Sequence, residues 1–142
     1  MACPYFRPQA PLDSGSWFPA PRLPLGDAYS GTCQARAEEH APAEDCLREL
    51  CNRGYARGRC ERFPPASPGD AVRFSITSEV NGRLRMVYVI EAAHAPLEHG
   101  ALEFAIGESR LDPCLPLLEA QARAFVGSYL RRRGLAGSAT AR

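Results

Sequence analysis

The chain has 142 residues and a formal net charge of +1. This length suits one domain with a buried core. The nearly balanced charge excludes a protein-wide electrostatic field that would recruit nucleic acid or an acidic membrane. All 17 basic residues are arginine, which is typical of a GC-rich, bacterial genome and carries little information about function.

The N-terminus, MACPYFRPQAPL, lacks the basic stretch and long apolar run of a secretory signal. No segment approaches the ~18 consecutive apolar residues of a membrane-spanning helix. We therefore expect a cytoplasmic protein with no membrane partner. Thiols stay reduced in the cytoplasm, so a group of cysteines there indicates metal binding or catalysis more often than disulfides.

The first half of the chain, residues 1–69, holds five of the six cysteines and ten of the 13 prolines. Its prolines and glycines interrupt every long periodicity, so this half is predicted to be irregular. The exception is one short helix over 43–51, which begins with acidic residues, as the helix dipole favours. Gly54 is expected to end it in a left-handed conformation. A long irregular stretch in a compact domain needs some other source of order, such as a bound metal.

The second half has regular patterns. Apolar residues alternate over 71–78 and again over 83–90, which predicts two half-buried strands. Asn81-Gly82 between them is a strong signal for a hairpin turn. Residues 92–100 are predicted to form a connecting loop. A third, shorter strand is expected at 102–106, where Leu102, Phe104 and Ile106 alternate.

A helix is predicted to begin at Pro116, a residue favoured at the first helical position. Its core-facing stripe has helical spacing and consists of Leu118, Ala122, Phe125 and Tyr129. Arg131, Arg132 and Arg133 are expected in the last turn, where the dipole favours cations, and Gly134 is expected to end the helix.

These elements predict an α+β fold and a single domain over 1–142. A loop-rich, cysteine-containing and metal-binding cap at 1–69 would lie on a three-stranded antiparallel meander. The meander and one long C-terminal helix, which crosses a face of the sheet, would occupy 70–134. The last residues, 135–142, are expected to be a disordered tail.

The cysteines stand at positions 3, 33, 46, 51, 60 and 114, and no two of them form a CxxC pair. Structural zinc sites usually use two such close pairs. Dispersed cysteines suit an iron–sulfur cubane better, because its four corners are spread in space and each thiolate can arrive on its own loop. The spacing therefore favours a [4Fe-4S] cluster, with Zn²⁺ as the alternative and with disulfides or unligated thiols as the remaining interpretation.

Helix geometry selects among the cysteines. In an α-helix, Cys46 and Cys51 would point about 140° apart, so both cannot face one small site. Cys46 is therefore interpreted as a small packed residue, and Cys114, alone in DPCLP, as a second bystander. The predicted cofactor and metal ligands are Cys3, Cys33, Cys51 and Cys60.

The surroundings of these four cysteines suit an anionic metal centre. Gly54 and Gly58 allow close backbone approach to a cluster. Five arginines stand between positions 48 and 62 against only two acidic residues, and a basic loop lowers thiol pKa values. Nearby aromatic residues could form a dry shell: Tyr5, Phe6, Trp17, Phe18, Tyr55 and Phe63.

The sequence thus predicts a small iron–sulfur protein with a role in electron transfer, sensing or structure, and with a redox or regulatory protein partner. A zinc-stapled module that binds a protein or nucleic acid is the alternative, although the charge does not support nucleic acid. An enzyme that uses a loop with His94 and His99, or a reactive Cys46, is the third hypothesis. That loop matches no metal motif, and no catalytic residue or small-molecule substrate can be assigned.

Overall fold

A computed structural model describes residues 2–12, 25–105 and 116–141 of the chain. In chain order the elements are the strands β1 (Phe6–Leu12) and β2 (Ala28–Cys33), the helical turn α1 (Glu44–Cys46), a π-helical turn (Leu47–Cys51), the strands β3 (Ala71–Val80), β4 (Arg83–Ala92) and β5 (Ala95–Ala105), and the helix α2 (Pro116–Ala141). The predicted α+β class is confirmed, with two sheets in place of one.

The larger sheet is the predicted antiparallel meander, in the order β3-β4-β5. Val80 pairs with Arg83 across a two-residue turn. Asn81 and Gly82 both have positive φ angles there, 53° and 76°. These are the angles of the tight turn that matches the twist of a hairpin, so the Asn-Gly signal is confirmed.

The loop predicted over 92–100 is wrong, because β4 turns directly into β5. Ala92 pairs with Ala95, so the turn consists of Ala93 and His94 alone. Their φ angles of 51° and 65° belong to the same turn type, which ordinarily uses glycine or asparagine. Strand β5 therefore begins seven residues before the predicted third strand, and Ile106 of that strand lies outside the described residues.

Contacts from elsewhere in the chain compensate for this unfavourable turn. Asp70 Oδ2 accepts the Ala93 N–H at 2.8 Å, and the Tyr55 hydroxyl accepts the His94 N–H at 3.1 Å. The Tyr55 and His94 rings stack with their centroids 4.2 Å apart. Because these partners lie 23 or more residues away, no local pattern predicts the turn.

The N-terminal half is more regular than predicted, because β1 and β2 pair as an antiparallel two-stranded sheet. Pro8 and Pro11 lie within β1, where proline is tolerated because a two-stranded sheet consists only of edges. The register shifts between Pro8 and Ala10. Because of its two prolines and this bulge, β1 has no regular hydrophobic alternation from which a strand could be predicted.

The helix predicted over 43–51 is shorter and differently wound. Only Glu44–Cys46 is α-helical, and Leu47–Cys51 is a π-helix, with the Asn52 N–H bonded to Leu47 O at 3.1 Å. Gly54 follows with φ 80° and donates to Leu50 O, so its predicted left-handed conformation is confirmed.

Helix α2 begins at Pro116 as predicted and packs against β3, where the Phe74 and Phe125 rings lie 5.6 Å apart. It continues to Ala141, so the end predicted at Gly134 is wrong and residues 135–141 of the predicted disordered tail are helical. Each glycine within a helix costs only about 1 kcal/mol, and Gly134 and Gly137 are interspersed with alanines, which are strong helix formers. The arginines at 131–133 therefore do not lie in the last turn.

One buried cluster unites the two halves of the chain. Phe6, Leu25 and Leu50 from the N-terminal half belong to the same core as Leu84 and Met86 from the sheet. Residue 2 also joins the larger sheet at its edge, since Ala2 and Val72 exchange two backbone hydrogen bonds of 2.8 Å. The predicted division into a cap and a scaffold is therefore not visible in the packing.

Two buried carboxylates fasten the N-terminal half to the sheet. Asp70 accepts from Arg57 at 2.7 Å, and Glu91 accepts from the Tyr55 hydroxyl at 2.6 Å and from Arg73 at 2.8 Å. The Ala93 N–H and Arg57 lower the pKa of Asp70. The hydroxyl of Tyr55 and the guanidinium of Arg73 lower the pKa of Glu91.

We expect Asp70→Asn to lower the free energy of unfolding at pH 7 by about 1–3 kcal/mol, because a buried charged hydrogen bond is lost. The folded-state pKa of Asp70 is below its unfolded value of about 3.9, so the contribution is present above that pH and is lost as pH falls through the folded pKa. Urea unfolding at pH 7 and pH 2 measures both effects. The exposed Glu38→Gln is the control, and an equal Asp70→Asn deficit at both pH values would contradict this account.

Candidate metal centre

Four cysteines line one cavity between β1, β2 and the loop after the π-helical turn. These are Cys3, Cys33, Cys51 and Cys60, the four residues that the sequence analysis predicted as ligands. The cavity has a volume of about 20 Å³. Its other lining residues are Tyr5, Phe6, Ala35, Leu50, Ala56 and Phe63. The thiols thus share an apolar enclosure, with no carboxylate or histidine among the lining residues that the structure describes.

Cys3 lies in a tight turn at the start of the described chain. Its N–H donates to Cys51 O at 3.1 Å, and its own carbonyl accepts the Phe6 N–H at 3.1 Å. Burial raises the pKa of the Cys3 thiol to about 12, while the backbone N–H groups of Tyr5 and Phe6 donate toward its sulfur and oppose that rise. These N–H groups are the kind of donor that stabilises a metal-bound thiolate.

A buried glutamine on α2 holds this turn in place. The Gln121 side chain is almost fully buried, and its Nε2 donates to Cys3 O at 2.8 Å and to Phe6 O at 2.7 Å. Its Oε1 is buried without a partner in the described part of the chain. The sequence analysis missed Gln121, since a polar residue in a helix shows its partners only after the fold is known.

Cys33 is the last residue of β2 and lies opposite Phe6 of β1. The chain then returns to it, because Cys33 and His40 exchange backbone hydrogen bonds of 2.7 and 3.1 Å. Gln34 N–H donates to Tyr5 O at 2.9 Å. These bonds fix Cys33 against the Cys3 turn although the two residues are 30 positions apart.

Cys51 ends the π-helical turn, and Asn52 next to it is completely buried. The Asn52 side chain accepts the Tyr29 N–H at 3.0 Å and donates to Tyr29 O at 3.1 Å and Leu47 O at 2.9 Å. It therefore fixes the end of the turn to β2. Cys60 follows in a second turn, where its N–H donates to Ala56 O at 2.8 Å.

The thiols influence one another electrostatically. Burial raises the pKa of Cys51, and repulsion from the negative charge of the neighbouring thiolates, including those of Cys3 and Cys60, raises it further. All five cysteines in the described residues are free of disulfides. A set of clustered, protonated thiols releases its protons when a cation binds, because the cation removes the repulsion.

Cys46 is half-buried and is not among the residues that line the cavity, and its exclusion from the ligand set stays a prediction. The predicted reason is wrong, however. In a π-helix the hydrogen bond closes from residue i to i+5, so residues five apart lie about one turn apart and not on opposite sides. Cys46 is accordingly close enough to raise the pKa of Cys51. Cys114 lies outside the described residues.

The arginines between positions 48 and 62 stabilise the fold more than they affect the thiols. Arg57 binds Asp70 and two backbone carbonyls, and it lies 5.0 Å from the centre of the Phe63 ring. Arg48 pairs with Glu44 and Glu49. Two buried guanidinium N–H groups, those of Arg53 Nε and Arg62 Nε, lack a partner in the described part of the chain. Each stands two residues after a cysteine of the cavity.

The predicted aromatic shell is present in part. Tyr5, Phe6 and Phe63 line the cavity, and the Tyr5 and Phe63 rings meet edge to face at 5.7 Å. Tyr55 lies instead against His94, and Trp17 and Phe18 are outside the described residues.

The two histidines of AAHAPLEHG do not contribute to the cavity. His94 is exposed in the hairpin turn, and His99 is exposed on β5 opposite Val89. Within residues 2–12, 25–105 and 116–141, no three or more His, Cys, Asp or Glu side chains form a group that could hold a metal ion as they stand. The cysteines therefore surround one cavity without meeting the geometry of a closed single-ion site.

No known protein family, curated protein or solved structure matches this chain. Across its described helices, none combines the length and apolar character needed to cross a membrane.

We expect Asn52→Ala to lower the free energy of unfolding by about 2–4 kcal/mol, because the buried Tyr29 N–H and the Tyr29 carbonyl lose their side-chain partner and Leu47 O loses one of its two donors. Chemical denaturation followed by circular dichroism measures this loss. Gln9→Ala, at an exposed position of β1, is the control and should stay within about 0.5 kcal/mol of the unsubstituted protein. Equal stability of the two variants would show that Asn52 does not anchor the Cys51 turn.

Proposed function

We propose that this chain is a small metalloprotein in which Cys3, Cys33, Cys51 and Cys60 bind one [4Fe-4S] cluster. The observation that carries the proposal is that these four cysteines, far apart in sequence, line one apolar cavity. Four thiols from four separate segments of the chain match the demand of a cubane, which is ligated once at each corner.

The chemistry of the donor set supports a cationic guest. Four thiolates and a [4Fe-4S]²⁺ core together carry a charge of −2, whereas four thiolates alone would repel one another in a buried space. Burial and this repulsion already raise the pKa of Cys51. Binding a cation would displace thiol protons and neutralise the repulsion between the thiolates.

The lining of the cavity suits a centre that must be kept from water. Rings of Tyr5, Phe6 and Phe63 and aliphatic side chains line the cavity together with the thiols. An apolar shell of this kind controls solvent access and the local dielectric, and hence the reduction potential of a cluster. Backbone N–H groups directed at the Cys3 sulfur tune the same property.

Zinc is the second candidate, and the size of the cavity favours it. A volume of about 20 Å³ is only slightly more than the roughly 10–15 Å³ that one water molecule needs. A single Zn²⁺ would require less outward movement of the thiols than a cubane. The same four cysteines would then form a structural staple in a module that binds another macromolecule.

Four-cysteine ligation leaves no iron open to a substrate, so electron transfer, sensing or a structural role fits better than catalysis. Cys33, Cys51 and Cys60 are half-buried, which places part of the cavity wall near the surface. A redox or regulatory protein partner could approach there. We assign the protein to the cytoplasm, where its free thiols would stay reduced.

Single Cys→Ser variants test the ligand set. Cys3→Ser, Cys33→Ser, Cys51→Ser and Cys60→Ser are each expected to lose most of the bound iron and sulfide, because each removes one corner ligand. Cys46→Ser makes the same chemical change beside the cavity and should keep the content of unsubstituted protein. Iron, sulfide and zinc are quantified in protein purified without oxygen.

The outcomes separate the alternatives. Loss of zinc in the same four variants, with no iron in any sample, would replace the cluster with the zinc staple. If Cys46→Ser alone empties the site, the assigned ligand set is wrong. Equal metal content in all five variants would refute both forms of the proposal.

A further inference from the structure

A second concave surface lies on the other side of β1, between that strand and α2. This groove has a volume of about 570 Å³, which lies within the usual range for small-ligand sites. It shares no lining residue with the cysteine cavity. Ligand binding in the groove is therefore independent of metal binding in the cysteine cavity.

Three guanidinium groups line the groove. Arg7 comes from β1, and Arg123 and Arg131 come from α2, about two turns apart. No carboxylate is among the lining residues that the structure describes. Two of the arginines pair with acids beside the groove, Arg123 with Glu119 at 3.1 Å and Arg131 with Asp27 at 2.8 Å. Three cations against two anions leave one net positive charge.

Arg131 is held in a defined orientation. Besides Asp27, its guanidinium contacts the hydroxyl groups of Tyr29 and Ser128. The Tyr29 hydroxyl in turn donates to Ala124 O at 2.7 Å. A preorganised guanidinium loses less entropy when it binds an anion, and its planar fork matches phosphate and carboxylate oxygens.

The floor of the groove consists of small residues. Ala120, Ala124 and Gly127 lie at helical spacing along α2, with Arg123 and Arg131 beside them. A Cβ atom at Gly127 would come within 3.2 Å of Arg131 Nη1. Pro8 and Pro11 form the opposite wall. The groove thus combines cationic groups with an uncharged space that can hold the body of a ligand.

We propose that this groove binds a small molecule that carries a phosphate monoester. Arg7 faces the groove from β1, and Arg123 and Arg131 keep Nη1 donors on the α2 side beyond those they use for Glu119 and Asp27. A phosphate monoester presents three oxygens, so guanidiniums from both walls can each contact a different oxygen, whereas a carboxylate presents two. The organic part of the molecule lies along the alanine and glycine floor. Helix α2 continues past Arg131 to Ala141, so the helix dipole does not explain this arginine. Ligand binding in the groove gives it a role.

The test is a calorimetric titration of the full-length protein with phenyl phosphate and with inorganic phosphate. We expect saturable binding of one phenyl phosphate per chain, tighter than that of inorganic phosphate because the ring contacts the floor. Arg7→Gln should weaken binding about tenfold, the loss of one charged hydrogen bond. Arg85→Gln makes the same charge change at an exposed position of β4 and should leave the affinity for phenyl phosphate unchanged.

Ala120→Leu provides a second variant that keeps every charge and fills the floor. It should weaken phenyl phosphate binding about tenfold while inorganic phosphate binds as before. Equal weakening by Arg7→Gln and Arg85→Gln would overturn the proposal, because binding would then follow overall charge. Absence of saturable binding would overturn it too. So would preferential binding of a single-stranded oligonucleotide with the steep salt dependence of a nucleic-acid surface.

Discussion

The placement of four cysteines around one small apolar cavity is the constraint that the turns of the N-terminal half have to satisfy. Burial and repulsion from the neighbouring thiolates both oppose the ionisation of Cys51, and a bound cation would remove that repulsion. Burial raises the pKa of Cys3 to about 12. The cavity can hold its four cysteines as free thiols or as the ligands of a metal centre. In the second case the binding energy of the metal adds to the folding energy of the surrounding turns.

The turns around the cavity depend on buried side-chain amides more than on long secondary structure. Asn52 fixes the end of the π-helical turn to β2, and Gln121 fixes the Cys3 turn to α2. Helix α2 thus holds the Cys3 turn through Gln121 and lines the arginine groove through Arg123 and Arg131. One helix supports both candidate sites, although they have no lining residue in common.

The sequence predicted the elements whose signals are local. Asn81-Gly82 indicated its hairpin, alternation indicated β3 and β4, and Pro116 marked the start of α2. The turn at Ala93 and His94 escaped prediction, because Asp70 and Tyr55 stabilise it from distant positions. Strand β1 was hidden by its prolines. The four cysteines selected as ligands coincide with those that line the cavity, although the α-helical argument used against Cys46 failed in a π-helix. Metal ligation itself stays a prediction.

The central claim is that the cysteine cavity holds an iron–sulfur cluster. Its most direct test is a visible absorption spectrum of unsubstituted protein purified without oxygen, with iron, sulfide and zinc quantified on the same sample. We predict about four irons and four sulfides per chain, with a broad visible absorption that dithionite bleaches. A colourless protein with one zinc per chain would contradict the cluster and make the cavity a structural staple. A colourless protein with neither metal would contradict a metal centre of any kind.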